Sequence, residues 1–236
     1  MNEPPIDLSR VRERRQSVTS ALLGDTITIT DDEWQMPSRL PGWTRAHIAT
    51  HLARQADALA KVVGQLERGE PTNLYESGDA ARNDIERGSE RTALELQEDL
   101  DASEGRLNDR FADLFELPPA QSVRLGPDTT VRLDHLPIVH LNHLVLHHLD
   151  LDTGYTCQAI EPEVAAWLLT YNAARIGRDP ALPAIRLVPD HGAAVTIGGR
   201  RRPLVVHGAD GLLLCWLTGR LPPDQVDARL PAMPIA

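Results

Sequence analysis

Lysine is almost missing from this 236-residue chain: Lys61 is the only one, so nearly all 24 basic residues are arginine. A cationic contact to a small ligand is therefore expected to be a guanidinium, which suits two-point carboxylate binding. Aromatic residues are scarce at 4%, which leaves leucine, valine and alanine to fill the core. Cysteine occurs twice, at Cys157 and Cys215, with no CxxC. No disulfide is expected, both thiols read as structural, and a reducing cytoplasm is the expected compartment. No apolar run is long enough to span a membrane, and the charged start MNEPPIDLSRVRERRQSV lacks the apolar stretch of a signal peptide. Excess positive charge is missing too: a net charge of -10 repels phosphate backbones and sets nucleic-acid binding aside. HExxH, GxSxG and P-loop patterns are absent.

What is present has helical periodicity. The spacing of Leu8, Val11, Val18, Leu22 and Leu23 predicts a first helix over about 7–23. Thr44 is an N-cap candidate for a second helix running to about Glu67, where Gly69 and Pro71 stop it. A polar bridge follows, with a short helix over Asp79 to Arg87, then a third long helix over Glu90 to Leu114. PPAQSVRLGPDTTVRLDHLP reads as a turn-rich connection with a short strand pair. A fourth helix runs from near His135 to Thr153, with Gly154 as its C-cap. After Tyr155 the texture changes: one helix over Glu161 to Ile176, then four short segments, AIRLVP, AAVTIG, RPLVVHG and GLLLCWLTGR, with Gly198-Gly199 as a hairpin turn. The fold class is mainly α: a four-helix bundle over residues 1–155, then a small α+β domain over 156–236.

The chemistry concentrates in histidine. Four of the chain's nine histidines, His140, His143, His147 and His148, sit on the fourth helix. His143 and His147 are four apart and face the same way, about 5–6 Å between Cβ atoms. A second such pair, His47 and His51, opens the second helix. Several buried imidazoles without partners would cost roughly 1–3 kcal/mol each. A divalent metal relieves three at once, and two ligands from one helix with one from a facing helix is a usual bundle site. By spacing, the fourth helix supplies His143 and His147, and the second supplies His51 or His47.

The segments LPGWTRAHIATHLARQADAL, LYESGDAARNDIERGS, VLHHLDLDTGY and GLLLCWLTGR resemble, in order and spacing, the mycothiol-dependent maleylpyruvate isomerase family. That family belongs to the DinB-like metalloproteins, four-helix bundles holding zinc or another divalent ion, here followed by a small α+β domain. The resemblance implies His51 and His147 as metal ligands. It departs at His143, where the family usually has glutamate. Three neutral ligands leave the metal its full double charge and lower the pKa of a bound thiol or water further. The resemblance also implies that Arg82 handles a substrate carboxylate; Tyr75 and Asn83, polar residues beside it in the sequence, are candidate further substrate contacts. It implies a mycothiol-type thiol as cosubstrate, with cis-trans isomerisation of maleylpyruvate or a related unsaturated acid as the reaction. Thiol S-transfer to an electrophile and a non-catalytic metal-binding module are the alternatives. The expected partners are the thiol and a carboxylate or electrophile, with no nucleic acid or membrane, and the chain is expected as a monomer or weak dimer.

Overall fold

The computed structural model describes residues 7–72, 74, 78–114, 122–125, 130–177, 181–199 and 201–235. The chain divides into two compact units, Met1–Thr153 and Gly154–Ala236. The first unit is a bundle of four long helices: α1 (Leu8–Thr26), α3 (Arg45–Glu67), α5 (Ala93–Asp113) and α6 (Leu136–Asp150). Two short helices, α2 (Asp31–Trp34) and α4 (Gly78–Gly88), sit in the connections. The strand pair anticipated before the fourth long helix is present, with β1 (Ser122–Arg124) antiparallel to β2 (Thr130–Arg132).

Local chemistry sets the helix starts. Thr92 caps α5 through a reciprocal box with Glu95, satisfying donors that the first helical turn leaves open. Thr44 caps α3 in the same way, but the residue completing the box is His47. The apolar faces of α3 and α5 interlock around Leu52, Leu59, Leu96, Leu100 and Leu107, all buried. Burial at this depth stabilises by about 1.5–3 kcal/mol per side chain. Helix α6 is buried at every position except His143. A helix apolar nearly all round must run through the interior, so any polar group on it needs a partner there.

Helix α6 ends at Asp150, earlier than expected from Gly154. The residue that turns left-handed first is Asp152 (φ 55°). Its neighbours explain the early stop. The Arg39 amide donates to the Asp150 carbonyl at 2.8 Å, and the Arg45 guanidinium donates to the carbonyls of Leu151 at 2.8 Å and Asp152 at 3.0 Å. The open carbonyls at the end of α6 and just beyond it are thus satisfied from the start of α3 and the loop before it. This clamp fixes the C-terminal end of α6, which carries His147, against the N-terminal end of α3, which carries His51.

The second unit holds α7 (Pro162–Ile176), a three-stranded sheet and α8 (Asp210–Leu217). Two sequence expectations change here. GLLLCWLTGR is helical, with Leu213, Leu214, Cys215, Trp216 and Leu217 all buried in α8; a short run apolar on every side carries no period to separate strand from helix. The second change is that Gly198-Gly199 makes no hairpin. Strand β3 (Ile185–Pro189) is central, antiparallel to β4 (Val195–Ile197) and parallel to β5 (Leu204–Gly208). The chain crosses from one edge to the other at Gly198 (φ 76°), where a Cβ would lie 1.9 Å from the Pro183 carbonyl oxygen. Cys157 and Cys215 are joined in a disulfide. The expectation of two separate thiols fails because the cysteines, 58 residues apart in sequence, come within 6.2 Å between Cα atoms.

Candidate metal centre

His51 of α3 and His143 and His147 of α6 bring one ligand nitrogen each to a common point, with all three atoms within 4.8 Å of one another. The His51 and His147 rings stand edge to face, 4.9 Å between centroids, and His143 lies 5.6–5.9 Å from both. Three imidazoles this close together can offer nitrogen ligands to one ion and leave a further position open, as a tetrahedral site would need. Trp43 closes one side, its ring 5.4 Å from that of His51.

The electrostatics suit a cation. His51 is pushed down to about 3, first by burial and then by the neighbouring His147, with Asp150 opposing. It is therefore the neutral imidazole that metal binding needs. His147 Nδ1 donates to Asp150 Oδ2 at 2.9 Å, and Asp150 is fully buried. That bond fixes the tautomer and leaves Nε2 for the common point.

The remaining histidines of the two helices are committed elsewhere. His47 Nδ1 accepts from the Thr44 amide at 3.3 Å, and its Nε2 faces Glu86 at 3.4 Å and Ser89 at 3.3 Å. His47, the spacing alternative to His51, is thus part of the α3 cap. His140 Nε2 meets Glu104 at 3.1 Å, and His148 Nε2 meets Asp25 at 2.9 Å. Burial lowers the pKa of His148 against the opposing pull of Asp25.

Beside the triad, a cleft of about 430 Å³ runs between α3 and α4. His51, Arg54, Asp57, Ala58 and Lys61 line one wall, and Ala80, Ala81, Asp84 and Ile85 the other. Gly88 brings α4 in close, since a Cβ there would sit 2.3 Å from Thr50 Cγ2. Arg82 and Asn83 are on α4 but exposed. The Arg82 side chain is 73% accessible, with Nη1 3.5 Å from Asp79, beside the cleft wall and outside its lining. Tyr75 lies outside the described residues. Sequence reasoning missed Arg54, Asp57, Lys61 and Asp84; for the first three the spacing from His51 along α3, and the singularity of Lys61, were the signals available, while Asp84 comes from α4 and gave none.

A helical bundle whose facing helices converge three imidazoles beside an open cleft has the form of a metal-binding bundle. The chain belongs to the family described as the mycothiol maleylpyruvate isomerase N-terminal domain, whose model matches residues 15–152. The fold is that of a crystal structure of a mycothiol-dependent maleylpyruvate isomerase, with a TM-score of 0.83 and 21% identity over 92% of this chain and 90% of that one. A histidine-to-alanine mutant of such an isomerase superposes equally, at a TM-score of 0.82 and 21% identity. No curated protein sequence matches the chain.

Proposed function

We propose that this protein is a metal-dependent enzyme that uses a low-molecular-weight thiol of the mycothiol type to isomerise maleylpyruvate or a related cis-unsaturated acid. The observation that carries the proposal is the convergence of His51, His143 and His147 in a chain of this family. The three imidazoles would hold a divalent ion, with zinc the choice that three nitrogen ligands favour. When bound, the ion supplies Lewis acidity that lowers the pKa of a thiol so that it is nucleophilic near neutral pH.

The chain's own residues do the rest. Asp150 orients His147, and the burial of His51 keeps that ring neutral. Addition of the thiol sulfur to the cis double bond would leave a single bond free to rotate; expulsion of the thiol restores the double bond as trans, with no net change in atoms. Arg82, at the rim of the cleft, is the proposed partner of a substrate carboxylate, with Asn83 and Tyr75 as further substrate contacts. The reading goes with a monomeric or weakly dimeric protein; the cytoplasm expected from separate thiols loses that support with the Cys157–Cys215 disulfide, and among the described residues no helix is long and apolar enough to cross a membrane.

The test is to mix zinc-loaded protein with maleylpyruvate, with and without mycothiol, and follow the products. Fumarylpyruvate formed only with the thiol, which is itself regenerated, is expected. Accumulation of a stable thiol adduct would mark an S-transferase, and no thiol-dependent change with either maleylpyruvate or a general electrophile would overturn the enzyme reading.

A further inference from the structure

The last turn of α4 is held against the start of α3. Gly88 packs on Thr50, and His47 reaches across beside it. The His47 ring is nearly buried, and Trp43 stacks over it with 6.1 Å between centroids. Its hydrogen bonds fix its tautomer from both ends. The Thr44 amide donates to Nδ1 at 3.3 Å, so Nδ1 carries no proton. Ser89 donates its hydroxyl hydrogen to the Glu86 carbonyl at 2.8 Å, so toward His47 Nε2, 3.3 Å away, that hydroxyl can only accept. Nε2 therefore holds the proton and offers it to Ser89 Oγ and to Glu86 Oε2 at 3.4 Å.

A capping box needs only one of these nitrogens. Glutamate completes the boxes at Thr30 and Thr92 and stays within its own helix. At Thr44 a ring takes that place, and its second nitrogen leaves α3 for α4. Both ends of that reach lie close to the chemistry. His51 is one turn further along α3, and Arg82 is one turn back from Glu86 along α4. Arg82 stands about 10 Å along the helix axis from Ser89, so a shift of α4 at its tied end displaces the guanidinium. Misplacing a substrate contact by about 1 Å is enough to be felt in the kinetics.

We propose that His47 is a positioning residue: through Nε2 it ties α4 to the helix that bears His51, and so sets the reach of Arg82 toward a substrate at the triad. Its Nδ1 serves the cap alone. The part played by Arg82 rests on the thiol-dependent reading above; the tie itself rests on the hydrogen bonds of His47.

Asparagine and glutamine separate the two roles. The amide oxygen of His47→Asn falls where Nδ1 stood and keeps the cap; the amide nitrogen of His47→Gln falls where Nε2 stood and keeps the tie. Both variants and wild type would be compared by amide hydrogen exchange followed by NMR, by zinc content, and by maleylpyruvate isomerisation with mycothiol. The Ser89 amide closes the last turn of α4 on the Ile85 carbonyl. His47→Asn should speed its exchange about threefold or more, and raise the KM for maleylpyruvate about threefold with kcat and zinc content kept. His47→Gln should leave both at wild-type values. In an Arg82→Ala background, His47→Asn should raise KM no further, because the tie acts through Arg82. Wild-type exchange at Ser89 in His47→Asn, or the reverse pattern with His47→Gln the impaired variant, would overturn the proposal. Loss of zinc from His47→Asn, or a KM rise that persists without Arg82, would overturn it too. If wild type shows no thiol-dependent isomerisation, the functional reading falls and the part of Arg82 with it, while the exchange pattern alone decides the tie.

Discussion

Helix α6 carries two populations of histidine that meet opposite fates. His143 and His147 bring a ring nitrogen each within 4.8 Å of one from His51. His140 and His148, on the same helix and more deeply buried, each meet a carboxylate from another helix, Glu104 and Asp25. The His140 cluster is a closed one: Glu104 also faces Arg15 at 3.7 Å, Arg15 donates to Asn108 at 2.7 Å, and its guanidinium lies 5.1 Å over the Phe111 ring. Burial lowers the Arg15 pKa and Glu104 works against it. The difference teaches that imidazole clustering alone does not make a metal centre. A carboxylate facing the imidazole pairs with it in place, whereas at the triad Asp150 takes one nitrogen of His147 and leaves the other to the common point.

That contrast can be broken from either side. The largest effect is expected at Glu104. Its replacement by alanine strips the buried Arg15 and His140 of the carboxylate they share and should cost about 3–5 kcal/mol in a urea melt, while the metal content of the folded fraction stays that of wild type. Next, Asp150→Asn keeps the volume but removes the charge behind His147; zinc affinity measured by competition with a chelator should fall roughly 10–100-fold, with melting of the metal-free protein changed far less than in Glu104→Ala.

A smaller effect follows from titration. In the metal-free protein His51 stays neutral to about pH 3, whereas in the unfolded chain it protonates near its ordinary value of about 6.5. The unfolded chain therefore takes up the extra proton first. Stability should be lost as pH falls from about 6.5 toward 3 and be fully present above that window. His148, lowered in the same direction by burial, adds to the slope. Melts of chelator-treated wild type and His51→Asn across this range would show it, the variant having the shallower dependence. The smallest effect is expected at Arg82, whose exposed guanidinium should matter to substrate alone. Arg82→Ala should raise KM about three- to tenfold with kcat nearly kept, and zinc content unchanged.

Much of the bundle is legible in the chain because its signals are local. Threonine caps, the stop at Gly69 and Pro71, and the four-residue step between His143 and His147 all lie within single helices. The choice of His51 over His47 is a matter of one cap: Thr44 claims His47, and the ring one turn later is left to face α6. What could not be read is long-range. Glu104 is 36 residues from His140, and Asp25 is 123 from His148. The disulfide spans 58 residues. The sheet of the second unit places β3 between two strands that follow it, an order that no hydrophobic alternation encodes. The cleft went unseen for the same reason, since its second wall comes from α4.

The claim that two histidines of α6 join His51 in a metal centre while the other two do not is tested most directly by metal content. Wild type, His143→Ala and His140→Ala would be purified without chelator and analysed by mass spectrometry for bound divalent metal, with zinc added back in a parallel sample. The account predicts about one metal per chain in wild type and in folded His140→Ala, and little or none in His143→Ala even after zinc is restored. Metal retained by His143→Ala, or lost from a folded His140→Ala, would contradict it.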